Sequence, residues 1–257
     1  MREVTLKLKD HPELCLEVEG VLPDILANKS REEIENMLLQ YGNTKVRLSE
    51  FFDVFIERSE QPRLIFEGDL SRVKRIGFGM KNGEIVVKGN AGMYLGAFME
   101  GGRILVEGNV GHFAGLNMRG GEMIIEGNCG DYLCASYRGE WRGMKGGTVI
   151  VKGNVGKELG AYMQKGKIVV EGVADEFAGV CMKGGLIVLN KAKARLGASM
   201  VGGAIVVNDA EDLLPGFFDE GEVENPEIEG EMFEGKFRVY SGDHAERKAK
   251  GMIYVRV

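Results

Sequence analysis

One phrase recurs seven times between Gly77 and Asp209 and constrains the fold more than any other feature of the chain. The copies are GFGMKNGEIVVKG from Gly77, GAFMEGGRILVEG from Gly96, GLNMRGGEMIIEG from Gly115, WRGMKGGTVIVKG from Trp141, GAYMQKGKIVVEG from Gly160, GVCMKGGLIVLNK from Gly179 and GASMVGGAIVVND from Gly197. Starts fall 19 residues apart, except for a 26-residue step between Gly115 and Trp141 and an 18-residue final step. A unit of 19 with one seven-residue insertion holds one short strand and tight turns, and is too short for a helical pair or a propeller blade. It predicts a mainly β chain: a single-stranded right-handed parallel β-helix, a solenoid of about seven coils whose equivalent residues stack ~4.8 Å apart. Glycine, 39 of 257 residues, supplies the corners.

Stacking turns each template position into a ladder. Met80, Met99, Met118, Met144, Met163, Met182 and Met200 form a thioether row. Such a row suits soft metals, but an unbranched side chain filling a tapering core corner is the simpler reading. Ile85 with Val87, Ile104 with Val106 and Ile168 with Val170 point inward by alternation. Asn90, Asn109, Asn128 and Asn154 share one position, where amides can bond from coil to coil. Glu84, Arg103 and Glu122 alternate in sign on neighbouring coils. Glu107 and Glu126 lie on adjacent coils at the spacing of a retaining glycosidase pair, yet Lys88 and Lys152 flank them in the same ladder and no apolar pocket is evident.

The middle strand position, Val86, Leu105, Ile124, Ile150, Val169, Val188 and Val206, should face outward and is aliphatic in every copy. Such a stripe needs a cover, supplied either by the terminal segments or by a partner protein. Val169 and Val188 are the positions that distinguish the two. The insertion, DYLCASYRGEWRG between Gly130 and Met144, carries the only tryptophan, Trp141, with Tyr137, Arg138 and Arg142. These residue types dominate interface hot spots, so the segment reads as a docking loop or, alternatively, a self-packed bulge.

The repeat region is assigned to residues 68–209, with a small α+β cap over 1–67 and a C-terminal cap over 210–257. In the first cap, alternation at Val4, Leu6, Leu8 and at Leu14, Leu16, Val18 predicts strands, and the capping box Ser30-Arg31-Glu32-Glu33 opens a helix running to about Leu39. Asp209 to Glu234 holds eleven acidic residues and no Lys or Arg, and reads as a mobile solvated segment or, alternatively, a partner-facing apron. Phe237–Tyr240 and Met252–Val255 predict two closing strands around Ser241-Gly242-Asp243-His244. His244 beside Asp243 has no Ser or Cys nucleophile that the sequence ties to it.

Net charge of −6 and the lack of a Lys/Arg stripe argue against nucleic acid. Charged residues at the start and no apolar run near ~20 residues argue against a signal peptide or a membrane span, so a cytoplasmic location is expected. Cys15, Cys129, Cys134 and Cys181 form no CxxC pair, and His11, His112 and His244 are far apart, so no metal site, cofactor site or catalytic residue is assigned. GxxGxxxG is followed by no helix and is not a dinucleotide fingerprint.

The seven copies, with Ser30-Arg31-Glu32-Glu33-Ile34 and Leu48-Ser49-Glu50-Phe51-Phe52-Asp53-Val54 before them and Tyr240-Ser241-Gly242-Asp243 and Gly251–Val255 after, resemble the C subunit of formylmethanofuran dehydrogenase over nearly the whole chain. The coils alone are also similar to the C-terminal domain of the glutamate synthase large subunit, and a carbohydrate-acting β-helix protein is a third reading. The first resemblance implies a scaffold subunit in an oxidoreductase complex that reduces CO2 and formylates methanofuran in the first step of methanogenesis. The implied partners are a molybdenum- or tungsten-pterin subunit, an amidohydrolase-like binuclear zinc subunit and iron–sulfur subunits, with no cofactor in this chain. Cys134 in place of a template glycine, Lys165 and Lys191 depart from the pattern.

Overall fold

The computed structural model describes residues 1–257. In chain order the first elements are β1 (Arg2–Leu8), β2 (Leu16–Glu17), α1 (Pro23–Leu26), α2 (Arg31–Glu35), β3 (Leu38–Tyr41), β4 (Thr44–Arg47), α3 (Leu48–Phe51) and β5 (Phe52–Arg58). Before the first copy lie β6 (Arg63–Glu67) and β7 (Val73–Lys74), and the seven copies supply β8 (Glu84–Lys88), β9 (Arg103–Val106), β10 (Glu122–Ile125), β11 (Lys145–Val151), β12 (Lys165–Ala174), β13 (Lys183–Ala192) and β14 (Gly202–Ala210). The chain closes with β15 (Phe218–Glu224), β16 (Glu227–Ile228), β17 (Glu231–Met232), β18 (Lys236–Gly242) and β19 (Gly251–Arg256).

The protein is mainly β. One thirteen-stranded, largely parallel sheet runs β15-β18-β19-β14-β13-β12-β11-β10-β9-β8-β6-β1-β5. From β8 to β14 each strand pairs in parallel with the next copy of itself, so that Ile85, Ile104, Met123, Val149, Ile168, Ile187 and Ile205 form one buried row. A second column of parallel bridges links Leu70, Ala91, Val110, Cys129, Val155 and Ala174. The seven template methionines are all fully buried and belong to the same core. In-register pairing with β8 begins at β6, within the first 67 residues.

The asparagine ladder forms as the shared position requires. The Asn109 and Asn128 backbone N–H groups donate to the Oδ1 of Asn90 and Asn109, at 2.8 and 2.9 Å, and Asn154 N–H donates to Asn128 Oδ1 at 2.8 Å. A side-chain acceptor thus satisfies a turn donor on the next coil, which the strand ladders leave unpaired.

Three local expectations change. The capping box at Ser30 is present, with Glu33 N–H donating to Ser30 Oγ at 3.2 Å and Ser30 N–H to Glu33 Oε2 at 2.7 Å, but the helix ends at Glu35 rather than near Leu39. Leu38–Tyr41 instead pairs with Thr44–Arg47 across a turn where Gly42 has φ of 57°, and Leu39 is buried. The acidic stretch is ordered. Its β15 pairs antiparallel with β18, and Arg238, Lys236 and Lys167, all from outside the stretch, pair with Asp219, Glu222 and Glu231. These cations are invisible in a reading of the stretch alone.

The third change concerns the fourth copy, whose start is Cys134 and not Trp141. The Cys134 N–H donates to Ala114 O at 2.7 Å and the residue has φ of 56°, the place held by Gly115 and Gly160 in their own coils. The extra seven residues are therefore 137–143, looped out between Ser136 and Met144.

Candidate functional site

No helix is long and apolar enough to cross a membrane. Two outward-facing regions remain after the core is filled, one on the flat sheet and one at the insertion.

The outward aliphatic positions form one continuous row, Ile65, Val86, Leu105, Ile124, Ile150, Val169, Val188, Val206 and Tyr254, paired strand to strand. The chain covers both ends itself: Ile65 and Val86 are buried at the N-terminal end, and a hairpin covers the C-terminal end. The β16–β17 hairpin lays Ile228 over Leu186, Ala204 and Val206, with Val188 and Phe233 packed alongside. Leu105, Ile124, Ile150 and Val169 are half-buried with no such cover. Of the two positions that distinguish terminal cover from a partner, Val188 lies beside the hairpin and Val169 beyond it.

Charged ladders edge the row. On one side Arg103 lies between Glu122 at 3.0 Å and Glu84 at 3.8 Å, and Arg63 reaches Glu84 at 2.8 Å. On the other side Lys88 pairs with Glu67 at 3.0 Å, and Lys152 is held by Glu171, whose hydrogen bond keeps the ammonium protonated above its usual pKa. Glu107 and Glu126 are exposed and make no ion pair.

The insertion leans over an aromatic column. Tyr94, Phe113 and Tyr132 stack on successive coils with ring centroids 5.2 and 4.7 Å apart and interplanar angles of 12° and 7°. Phe78 and Phe98 form a second, shorter column at 5.3 Å. Tyr137 lines both cavities in this region. A cavity of about 180 Å³ lies between the loop residues Arg138, Glu140 and Trp141 and the coil residues Phe113, Tyr132 and Tyr162. The other, of about 240 Å³, is formed by Arg75, Phe78, Tyr94, Phe98 and Leu116.

Trp141 is 66% exposed and Tyr137 54% exposed, so neither is buried in a self-packed bulge. The loop is nonetheless anchored. Lys183 Nζ donates to Trp141 O at 2.8 Å, and the Trp141 ring meets Tyr162 edge-on at 6.1 Å. The Cys181 thiol beside Tyr162 holds that phenol above its usual pKa.

The aromatic column, whose rings are half-buried, is not anticipated by the sequence reading. Its signal is present: Tyr94, Phe113 and Tyr132 are 19 residues apart, two before the template start, outside the inward and strand positions that the ladders follow. A second omission is Ser241, whose Oγ lies 3.1 Å from His244 Nε2. Asp243 does not complete a triad. Its buried carboxylate accepts from Ser199 N–H and Ala245 N–H, both at 3.0 Å, while the His244 ring stacks on Phe218 at 4.5 Å.

No three His, Cys, Asp or Glu side chains come together in a metal-holding group. Burial pushes the Cys129 thiol up to about 12 and Cys134 well above its usual value, so neither is poised as a thiolate ligand.

The GXGXG motif family model matches residues 70–251. The chain is 61% identical to the C subunit of the tungsten-containing formylmethanofuran dehydrogenase 2 of Methanothermobacter thermautotrophicus, across all of this chain and 97% of that relative. Similarity to the C subunit of the molybdenum-containing formylmethanofuran dehydrogenase 1 of Methanothermobacter marburgensis is 57% identity, over 51% of this chain and 33% of that one. Among solved structures, a chain of the formyltransferase/hydrolase complex from Methylorubrum extorquens, determined in complex with methylofuran, superposes with a TM-score of 0.88 at 27% identity, covering 98% of this chain and 99% of the other. A mainly β, glycine-cornered chain with this repeat and this full-length similarity belongs to the family of formylmethanofuran dehydrogenase C subunits.

Proposed function

We propose that the chain is a non-catalytic scaffold of the formylmethanofuran dehydrogenase complex, and that its coils wind as a single-stranded right-handed parallel β-helix. The parallel pairing of every copy with the next supports the winding, and the strong preference of parallel crossovers for the right hand supports its sense. On this reading residues 1–67 cap one end of the stack, 68–209 form the coils and 210–257 cap the other. A closed end at both termini protects an otherwise open core and edge.

One observation carries the scaffold role: four aliphatic side chains in a row, Leu105, Ile124, Ile150 and Val169, face outward without intramolecular cover in a chain whose relatives are named as subunits. Tyr137, Arg138 and Trp141 add a second contact region. The chemistry of CO2 reduction and formyl transfer then belongs to other subunits: the tungsten or molybdenum in the relatives' names, the pterin that holds it, the binuclear zinc and the iron–sulfur clusters. The stacked rings of Tyr94, Phe113 and Tyr132 face one another and present edges outward, which disfavours a sugar-stacking platform.

Purification of the tagged full chain from its native cells, with mass spectrometry of what co-elutes, tests the role. Metal-pterin and amidohydrolase-like chains at equal stoichiometry are expected. Recovery alone, or with flavin-dependent amidotransferase chains, overturns it.

A further inference from the structure

The charges edging the aliphatic row are paired except at one place. Lys88 is engaged by Glu67 and Lys152 by Glu171, each cation turned toward a carboxylate of the same ladder, which ends in the uncharged Asn190 and Asn208. Glu107 and Glu126 have no cation within ion-pair distance, although Lys88 and Lys152 are their neighbours in the ladder. They extend from adjacent rungs, each following a residue of the in-register pair Val106 and Ile125. Their backbones are therefore about 4.8 Å apart, where two carboxylates repel, a repulsion that the flanking Lys88 and Lys152 offset in part, since Glu126 helps hold the Lys152 ammonium protonated.

Beside them, Leu105 and Ile124 are paired in register and half-buried. Across the row the charges are already matched, Arg103 with Glu122 at 3.0 Å. The patch thus has an apolar floor, one satisfied flank and one bare acidic flank. A guanidinium suits that arrangement: its planar fork can address two carboxylates at once, while its stem lies along aliphatic surface.

We propose that Leu105, Ile124, Glu107 and Glu126 dock a neighbouring subunit of the complex through an arginine of that subunit set between apolar side chains. The proposal rests on the scaffold reading above and names the chemistry of the partner surface. The repulsion of the free chain then becomes an attraction in the assembly.

The test uses the full chain carrying Glu107→Gln with Glu126→Gln, alone and incorporated into the native complex. The free variant should melt within about a degree of the parent, because the mutual repulsion and the attraction to the flanking lysines are removed together. In the complex it should dissociate about tenfold faster or more, with a weaker dependence on salt than the parent. Dissociation at the parental rate overturns the assignment of this patch, as does a drop in the free chain's melting temperature that accounts for the loss. A zero-length carbodiimide crosslink from either glutamate to a partner lysine overturns the choice of arginine. Failure of the parent chain to co-purify with any subunit removes the scaffold reading itself and is distinguishable from a patch variant that stays bound.

Discussion

The methyl of Met99 occupies the space where a side chain at Gly121, one coil later, would begin: a Cβ there would lie 2.6 Å from Met99 Cε and 2.7 Å from Gly102 O. Gly121 also has φ of 86°, so the template's M-x-x-G spacing encodes one coil's methionine seated against the next coil's glycine. The same contact recurs from Met80 to Gly102 and from Met163 to Gly185. Gly121→Ala should cost about 2–4 kcal/mol, from strained φ and overpacking, and Met99→Ala about 2–5 kcal/mol from the cavity. Chemical denaturation of both and of the double variant checks this. The double variant should be more stable than the sum predicts, because the cavity admits the new methyl.

The amide ladder gives a smaller effect. Asn109 Oδ1 accepts from both the backbone N–H and the Nδ2 of Asn128, at 2.9 and 3.0 Å, on an exposed edge. Asn109→Ala should therefore cost only about 1 kcal/mol, since water can replace part of what is lost. Hydrogen exchange should rise first at Asn128 N–H.

Serine substitutions along the aliphatic row should divide by position. Val206 is 3% exposed beneath the C-terminal hairpin, and Val206→Ser should lower the melting temperature of the free chain. Val169→Ser should leave that temperature nearly unchanged and weaken assembly. Val188→Ser should show some of both, because Val188 packs beside the hairpin.

Most of the architecture is legible in the sequence because the repeat writes each ladder explicitly. The buried methionine row, the asparagine ladder and the Glu84–Arg103–Glu122 alternation all follow from a period of 19. What the sequence hides depends on partners distant along the chain. The cations that order the acidic stretch lie on β12 and β18, and the cover over Val206 is a hairpin more than twenty residues on. The start of the fourth copy is only half legible: Cys134 is recognisable as standing in for a template glycine, whose positive φ it takes, but the better pattern match, from Trp141, lies past the insertion. The helix at Ser30 begins as its cap requires, but its end is decided by a short hairpin, a tertiary choice.

Alkaline pH should destabilise the chain through its buried thiols. Burial raises the Cys129 pKa to about 12 from 9.0, so below about pH 9 the thiol is protonated both folded and unfolded. As pH rises past that value the unfolded chain ionises first, and stability falls until the folded value is reached. Melting temperature should be level between about pH 7 and 8 and decline above about pH 9, with a shallower decline in Cys129→Ala. Half-buried Cys15 and Cys181 should react with a thiol reagent in the folded chain while Cys129 and Cys134 do not.

Trp141 should behave as a contact residue rather than a structural one. Its ring is mostly exposed and meets Tyr162 only edge-on, while the loop is held through the Trp141 carbonyl, which any residue retains. Trp141→Ala should leave the free chain's melting temperature within about a degree and slow or weaken incorporation into the complex by about tenfold or more. Normal assembly would remove the loop from the contact surface.

The scaffold account is tested most directly by an electron cryomicroscopy structure of the native complex containing this chain. The account predicts that a neighbouring subunit lies over Leu105, Ile124, Ile150 and Val169, with no metal or substrate bound by residues of this chain. A complex in which that row faces solvent, or in which this chain supplies ligands to a metal centre, would contradict it.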